Sequence, residues 1–104
     1  MKRVIIESPY AGHIRRNLDY ARECLRHSID LGESPLASHL LYTQILDDSD
    51  AGERTLGIEA GLAWYTVAEA IIFYTDYGMS PGMKRAYEYA LEMKHDAVFR
   101  KIRS

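Results

Sequence analysis

The pattern of hydrophobic and polar positions alternates between short apolar runs and longer helical repeats. Residues 3–6 and 71–73 form apolar runs rich in β-branched and aromatic side chains, with the length of a strand that is buried on both faces. Two further strands are predicted at residues 35–40, where Pro35 favours an edge position, and at residues 97–102. We therefore expect four short strands.

Helical repeats separate these strands. The first covers residues 14–29 and ends at Gly32, which tolerates the positive φ of a helix terminus. The second covers residues 51–67, and the third begins at Pro81 with Ser80 as its cap. The apolar stripes expected to face the sheet are Ile14, Leu18, Ala21, Leu25 and Ile29 in the first helix, Leu56, Ala60, Ala63, Trp64 and Val67 in the second, and Met83, Tyr87, Ala90 and Leu91 in the third.

The strict alternation of strand and helix indicates one α/β domain over residues 1–104. We expect a flavodoxin-like or Rossmann-like three-layer sandwich, with a four-stranded parallel sheet in the order 2-1-3-4 and helices on both faces. In this topology the turns at residues 8–12 and 76–82 follow neighbouring strands and converge at the carboxyl edge of the sheet. The sequence therefore predicts a ligand-binding crevice between the two turns.

Composition and charge limit the classes of partner and the cell compartment that we expect for this protein. The formal net charge of −2 and the apolar fraction of 47% are ordinary for a soluble globular protein, so we expect no nucleic-acid or membrane partner. Cys24 is the single cysteine, which favours the reducing cytoplasm. The histidines lack metal-ligand spacing, and we expect neither a metal site nor a cofactor.

Three segments carry a resemblance to a known family. The turn at residues 8–12, the segment Gly57-Ile-Glu-Ala-Gly61 and the turn at residues 76–82 resemble the nucleoside 2-deoxyribosyltransferase-like superfamily, and in particular its small members from bacteria and bacteriophages. In that superfamily the two turns hold the sugar or phosphate, so the resemblance implies a nucleoside or nucleotide ligand. The residues that it places around the ligand are Ser8, Tyr10, Gly12, Asp76, Ser80 and Gly82.

The sequence departs from the superfamily at the catalytic glutamate. The resemblance places this nucleophile, which attacks the sugar C1′, four residues after Gly82, and Ala86 occupies that position. The nearest acid, Glu88, lies about 200° further round the helix and is also placed to pair with Lys84. We expect Glu88 to replace the missing carboxylate only if the pocket or the helix register is rearranged.

Further side chains are candidates because of their own chemistry. His39 lies near the carboxyl end of the predicted second strand, where it is either a hydrogen-bonding partner of the ligand or an ordinary edge histidine. Arg54, in the first turns of the second helix, either binds a phosphate or is a surface charge. Tyr10 and Tyr77 directly follow strand ends and offer a flat face to a base and a hydroxyl to a sugar.

Two features near the second helix have structural alternatives. Asp47-Asp48-Ser49-Asp50 either binds a cation or forms a loop that caps the helix. Gly57 and Gly61 lie on one helix face and predict a close backbone approach, either to the sheet or to another subunit. Because Trp64 lies nearby, we hypothesise a homo-oligomer that packs partly through this helix.

Three functions are compatible with these features. We expect first a nucleotide- or nucleoside-binding protein that retains the pocket without the nucleophile and sequesters a nucleotide-derived signal, as a phage anti-defence protein would. The alternative is an enzyme, an N-glycosidase or nucleoside deoxyribosyltransferase, that uses Glu88, Glu59 or Asp76 as its carboxylate. The third is an interaction protein with a vestigial crevice. Ala86 favours binding over catalysis.

Overall fold

The computed structural model describes residues 1–103 and contains a sheet of four parallel strands. These are β1 (Lys2–Glu7), β2 (Glu33–Leu36), β3 (Ala70–Tyr74) and β4 (Ala97–Arg100). Their order in the sheet is β2-β1-β3-β4, which confirms the predicted α/β class and the 2-1-3-4 topology. Because β1 and β3 are paired, the turns that follow them lie side by side.

Helices cover both faces of this sheet. Side chains of a strand alternate between the two faces, so the sheet has an apolar core on each side. α1 packs on one face through Tyr20 and Cys24, and α4 packs on the other through Met83, Ala86 and Ala90. Among the described residues, no helix is long and apolar enough to cross a membrane. The helices are α1 (Ile14–Asp30), α2 (Ser38–Leu41), α3 (Ala51–Ala63) and α4 (Pro81–Glu92), with 3-10 turns at Tyr42–Gln44 and Trp64–Val67.

The second strand ends earlier than predicted. It ends at Leu36 rather than at Leu40, and α2 begins at Ser38. The Leu40 N–H donates to the Ala37 carbonyl at 3.1 Å, a local helical hydrogen bond that replaces pairing with the sheet. His39 is therefore presented by a helical turn that follows the strand, and not by the strand itself.

The buried face of α1 differs from the predicted stripe. Ile14 and Ile29 are 46% and 50% exposed, whereas Asn17 and Ser28 are buried. The Asn17 side chain donates to the carbonyl of Tyr10 at 2.9 Å, and a polar group that is hydrogen-bonded in this way tolerates burial. Ala21 is buried and Leu25 packs on the core as predicted, so apolar periodicity located the contact face but misplaced its two ends.

The predicted stripe of the second helix lies in solvent. Leu56, Trp64 and Val67 are 55%, 44% and 48% exposed, and Gly61 is the buried residue of α3. The reason is that α3 packs on α2 and the 3-10 turn after it instead of on the sheet. Leu91 on α4 is likewise 53% exposed.

Candidate functional site

A cavity of about 410 Å³ lies at the carboxyl edge of the sheet, between α3 and the first turns of α4. Its walls are the turn after β1, α2 with the following 3-10 turn, one side of α3 and the N-terminal turn of α4. Open α/β sheets bind ligands at this edge, and the volume lies in the range of small-molecule sites. The geometry is therefore that of a binding cleft.

Glu7, the last residue of β1, lines the cavity and is held by Tyr65. The buried Tyr65 hydroxyl donates to Glu7 Oε2 at 2.5 Å. Removal from water raises the pKa of Glu7 to about 7, and the hydrogen bond from Tyr65 opposes part of this rise. Glu7 is consequently a carboxyl group that exists in both protonation states at neutral pH.

Ser8 and His39 form a second polar pair in the cavity wall. Ser8 Oγ and His39 Nε2 lie 2.7 Å apart, and Ser8 is buried. Burial lowers the pKa of His39 to about 4, so the imidazole is neutral at pH 7. Within residues 1–103, His39 Nδ1 is the buried side-chain atom that has no hydrogen-bond partner. The pair is therefore neutral and keeps one unsatisfied ring nitrogen.

Two arginines lie at the rim formed by α3 and α4, and two carboxylates, Asp48 and Glu53, belong to the same lining. Arg54 and Arg85 both line the cavity, and within residues 1–103 neither takes part in an ion pair. Ser80 Oγ accepts a hydrogen bond from Met83 N at 3.2 Å and so caps α4, as predicted. The positive end of a helix dipole and two guanidinium groups favour an anion at this rim.

The cavity brings together most of the residues that were predicted to bind a ligand. The six that line it come from the turn after β1, from α2, from α3 and from the start of α4. They are Ser8, Tyr10, His39, Arg54, Ser80 and Gly82. Gly12, with φ of 91°, lies in the turn before α1 and outside this lining.

Asp76 and Tyr77 were predicted at the ligand and lie outside the cavity lining. Asp76 accepts hydrogen bonds from the Tyr20 hydroxyl at 2.5 Å and from backbone N–H groups of Ile102 and Arg103 at 3.0 and 2.9 Å. Tyr77 packs edge-on against Tyr20, with ring centroids 4.8 Å apart. Both residues therefore serve to attach α1 and the C-terminal segment to the end of β3.

Glu88, the predicted catalytic carboxylate, also lies outside the cavity lining. It is exposed on α4, whereas Ala86, two residues earlier, is buried and contributes to the cavity wall. The two positions point in different directions because two residues span more than half a helical turn. The cavity therefore lacks a carboxylate on α4 and keeps a methyl group where the resemblance places the nucleophile.

Glu7 and Arg85 are two charged cavity residues that were not predicted from the sequence, and further polar residues of the lining that were not predicted are Ser38, Thr43 and Glu53. The signal available for Glu7 was an acid that directly follows the apolar run of residues 3–6. For Arg85, the signal was a position on the first turns of the third helix, immediately after the predicted turn. Neither signal shows whether the side chain faces the cavity.

The loop before α3 caps the helix, as one of the two predicted alternatives stated. Asp50 Oδ2 accepts from Glu53 N at 2.9 Å, and Glu53 Oε1 accepts from Asp47 N at 2.6 Å. Asp50 thus satisfies a free N–H group in the first turn of α3, and Glu53 fixes the loop that precedes the cap. In the described part of the chain, no group of three or more metal-ligating side chains occurs.

The paired glycines of α3 allow it to approach α2 closely. A Cβ on Gly61 would lie 2.6 Å from Ser38 Oγ, and a Cβ on Gly57 would lie 3.4 Å from Leu46 Cδ1. The close approach was predicted, but its partner is the wall of the cavity and not the sheet. The glycines thus help to set the width of the cleft.

The residues of this cleft lie within a domain that a protein-family model describes. The chain belongs to the DUF7768 family, described as a domain of unknown function, whose family model matches residues 2–100. The matched range contains all four strands and every residue that lines the cavity. No curated protein matches the chain. The resemblance to the nucleoside 2-deoxyribosyltransferase-like superfamily therefore stays a prediction.

Proposed function

We propose that this member of the DUF7768 family binds a nucleoside or nucleotide in the cavity between α3 and α4. The observation that carries the proposal is the convergence of six predicted ligand residues on one cavity of about 410 Å³. We further propose that it acts in the reducing cytoplasm, where a buried single thiol such as Cys24 stays reduced.

Different parts of the wall suit different parts of such a ligand. Tyr10 offers a flat face for the base. The neutral pair of Ser8 and His39 suits sugar hydroxyls, because each hydroxyl both donates and accepts hydrogen bonds. Arg54 and the capped N-terminus of α4 favour a phosphate group.

A binding role without turnover is favoured by Ala86. Its methyl group offers neither a nucleophile nor a proton at the position where the resemblance places the catalytic glutamate. We therefore propose that the protein sequesters a nucleotide or a nucleotide-derived signal, a role that fits its resemblance to small bacteriophage proteins.

A thermal-shift screen against nucleosides, nucleotides and ADP-ribose derivatives tests the binding function. A ligand at about one hundred times its dissociation constant adds about 2.7 kcal/mol to the free energy of unfolding. We expect Tyr10→Ala to weaken binding about tenfold, since stacking of a base on an aromatic ring contributes about 1–3 kcal/mol. Tyr77→Ala, which alters a tyrosine outside the cavity, should bind normally. An absence of any shift, or an equal loss in both variants, would contradict the proposal.

Glu7 favours a second candidate function, hydrolysis of an N-glycosidic bond. Its protonated carboxyl can donate a proton to the departing base while the C1′–N bond breaks and water adds to C1′, and the proton of that water then returns to Glu7. Release of free base should fall about 100-fold in Glu7→Gln and stay unchanged in Glu88→Gln, an exposed control. Recovery of every bound ligand intact after long incubation with the wild-type protein would rule this function out.

We also propose that the protein forms a homo-oligomer through the exposed side of α3. Leu56 on α3, together with Trp64 and Val67 in the 3-10 turn that follows it, presents apolar surface that the chain itself leaves uncovered. Leu56→Glu should shift the sedimentation profile towards the 11.9 kDa monomer, whereas Leu91→Glu on α4 should not. A wild-type protein that sediments only as the monomer at micromolar concentration would contradict the proposal.

A further inference from the structure

Arg54 and Arg85 mark the boundary between two adjoining spaces. Both residues line the main cavity, and both also line a depression of about 430 Å³ beside the N-terminal turns of α3 and α4. Asp48 and Ile58 are shared by the two spaces in the same way. A ligand that fills the cavity can therefore extend past the two arginines into the depression.

The charges of this arginine pair are available to a ligand. Within residues 1–103 neither guanidinium is in an ion pair with a carboxylate. Arg85 Nη2 lies 3.9 Å from the position that a Cβ would occupy on Gly82, so its guanidinium lies over the first turn of α4. The positive end of the α4 dipole thus adds to the charge of the two side chains.

Such an arrangement matches a diphosphate better than a single phosphate. A guanidinium binds phosphate oxygens bidentately, and Arg54 and Arg85 come from different helices, with both residues lining both spaces. Two guanidinium groups can therefore each take one phosphate of a diphosphate. A nucleoside alone would leave both cations uncompensated.

The depression beyond the arginines suits a hydroxylated group. Asp48 is part-buried, and within residues 1–103 its carboxylate accepts no hydrogen bond, so it can accept from ligand hydroxyls. Thr55 already donates its hydroxyl proton to the Ala51 carbonyl, which leaves its oxygen as an acceptor. Arg54 and Arg85 line the depression as well, so a sugar there meets these acceptors beside two donors, and each sugar hydroxyl can both donate and accept hydrogen bonds.

We propose that the cavity and the depression together bind a nucleoside diphosphate that carries a second sugar. The nucleoside occupies the cavity, the diphosphate lies between Arg54 and Arg85, and the second sugar lies beside Asp48. This inference rests on the proposed function, because it assumes that the nucleoside part occupies the cavity.

Isothermal titration calorimetry with two matched series tests the inference. The probes are adenosine, ADP and ADP-ribose in one series and uridine, UDP and UDP-glucose in the other. In the series with the preferred base, we expect the diphosphate to bind about 100-fold more tightly than the nucleoside and the nucleotide sugar several-fold more tightly still, since charge-assisted pairs are the strong hydrogen bonds.

Single variants separate the parts of the site. Arg54→Ala and Arg85→Ala should each remove about tenfold of the diphosphate affinity and leave nucleoside affinity unchanged. Asp48→Ala should remove only the additional affinity of the nucleotide sugar. Arg22→Ala, which alters an exposed arginine of α1, is the matched control and should change nothing. The thermal midpoint of each variant without ligand confirms that it is folded.

The outcomes distinguish this inference from the proposed function. Equal affinities for nucleoside and diphosphate, or a diphosphate affinity that both arginine variants leave unchanged, would overturn the inference while nucleoside binding stands. Binding of the diphosphate but no gain from the second sugar would overturn the part assigned to Asp48. Failure of every probe to bind would overturn the proposed function and this inference together.

Discussion

Two carboxyl groups at the carboxyl ends of neighbouring strands, Glu7 as the last residue of β1 and Asp76 shortly after β3, differ in how their charge is compensated. Each accepts a 2.5 Å hydrogen bond from a buried tyrosine, Tyr65 for Glu7 and Tyr20 for Asp76. Asp76 additionally accepts two backbone N–H groups, whereas Glu7 has no second donor among the described residues. Each acid therefore has a tyrosine donor, but the two differ in the number of further donors that they have.

The depth of burial and the number of donors together decide the direction in which each pKa moves, because Glu7 is removed from water much more completely than Asp76. Burial acts to raise the pKa of Asp76, but the hydrogen bonds from Tyr20, Ile102 and Arg103 outweigh it and the net pKa is lowered. For Glu7, burial outweighs the single hydrogen bond from Tyr65 and the pKa rises to about 7. An acid whose charge is compensated by several hydrogen-bond donors stabilises the fold. An acid with one donor can still exchange a proton with a ligand.

The largest loss in the free energy of unfolding is expected from replacing Asp76, the acid with three hydrogen-bond donors. Asp76→Ala leaves three donors without their acceptor and should lower the free energy of unfolding by about 3 kcal/mol in urea denaturation near neutral pH. Because the folded pKa of Asp76 is lowered, this stabilisation is present above the unfolded value of 3.8 and is lost as the pH falls through the folded pKa. Asp19→Ala, at an exposed ion pair, should cost well under half as much. Equal costs for both variants would contradict the comparison.

Glu7→Gln should act in the opposite direction. The folded pKa of Glu7 is raised from 4.5 to about 7, so its contribution to stability is present below 4.5 and is lost as the pH rises through 7. We expect the variant, which cannot ionise, to gain roughly 3 kcal/mol in free energy of unfolding over the wild type between acidic and mildly alkaline pH. A difference between the two proteins that does not change with pH would show that Glu7 is not destabilised by its burial.

The smallest effects are expected from the tyrosines. Tyr20→Phe removes a donor to Asp76 Oδ1 and an acceptor for Asp76 N, and should cost about 1.5 kcal/mol in free energy of unfolding. Tyr65→Phe removes one donor and should cost about 1 kcal/mol while moving the pKa of Glu7 further up. Carbon-13 NMR titration of the Glu7 carboxyl group measures that shift. A downward shift in Tyr65→Phe would be incompatible with the hydrogen bond from Tyr65.

Predictions made from apolar runs succeeded where burial is uniform. β3 is buried along its whole length, so its composition alone identified it, and the alternation of strands and helices then determined the sheet order. Predictions of helix contact faces were weaker. α3 packs on other helices, and its exposed Leu56 and Trp64 could not be distinguished from core residues by spacing.

The candidate site was predictable where backbone position decides the outcome. Ser8, Tyr10, Ser80 and Gly82 follow strands β1 and β3, and any parallel sheet in this order brings their turns together. Side-chain direction was not predictable in the same way. Asp76 lies at the carboxyl end of a strand as Glu7 does, yet it turns towards Tyr20 on α1 and away from the cavity.

The sequence by itself determined the alternation of strands and helices, the order of the sheet and the edge at which the cavity lies, because these depend on local composition and on the handedness of crossovers. Only the tertiary structure decided which acid faces the cavity and which acid is charged. Those properties depend on partners 58 residues away for Glu7 and 56 residues away for Asp76. The pKa of an acid depends on how far folding removes it from water and on the hydrogen-bond donors that folding brings to it. Neither can be read from the sequence around the acid itself.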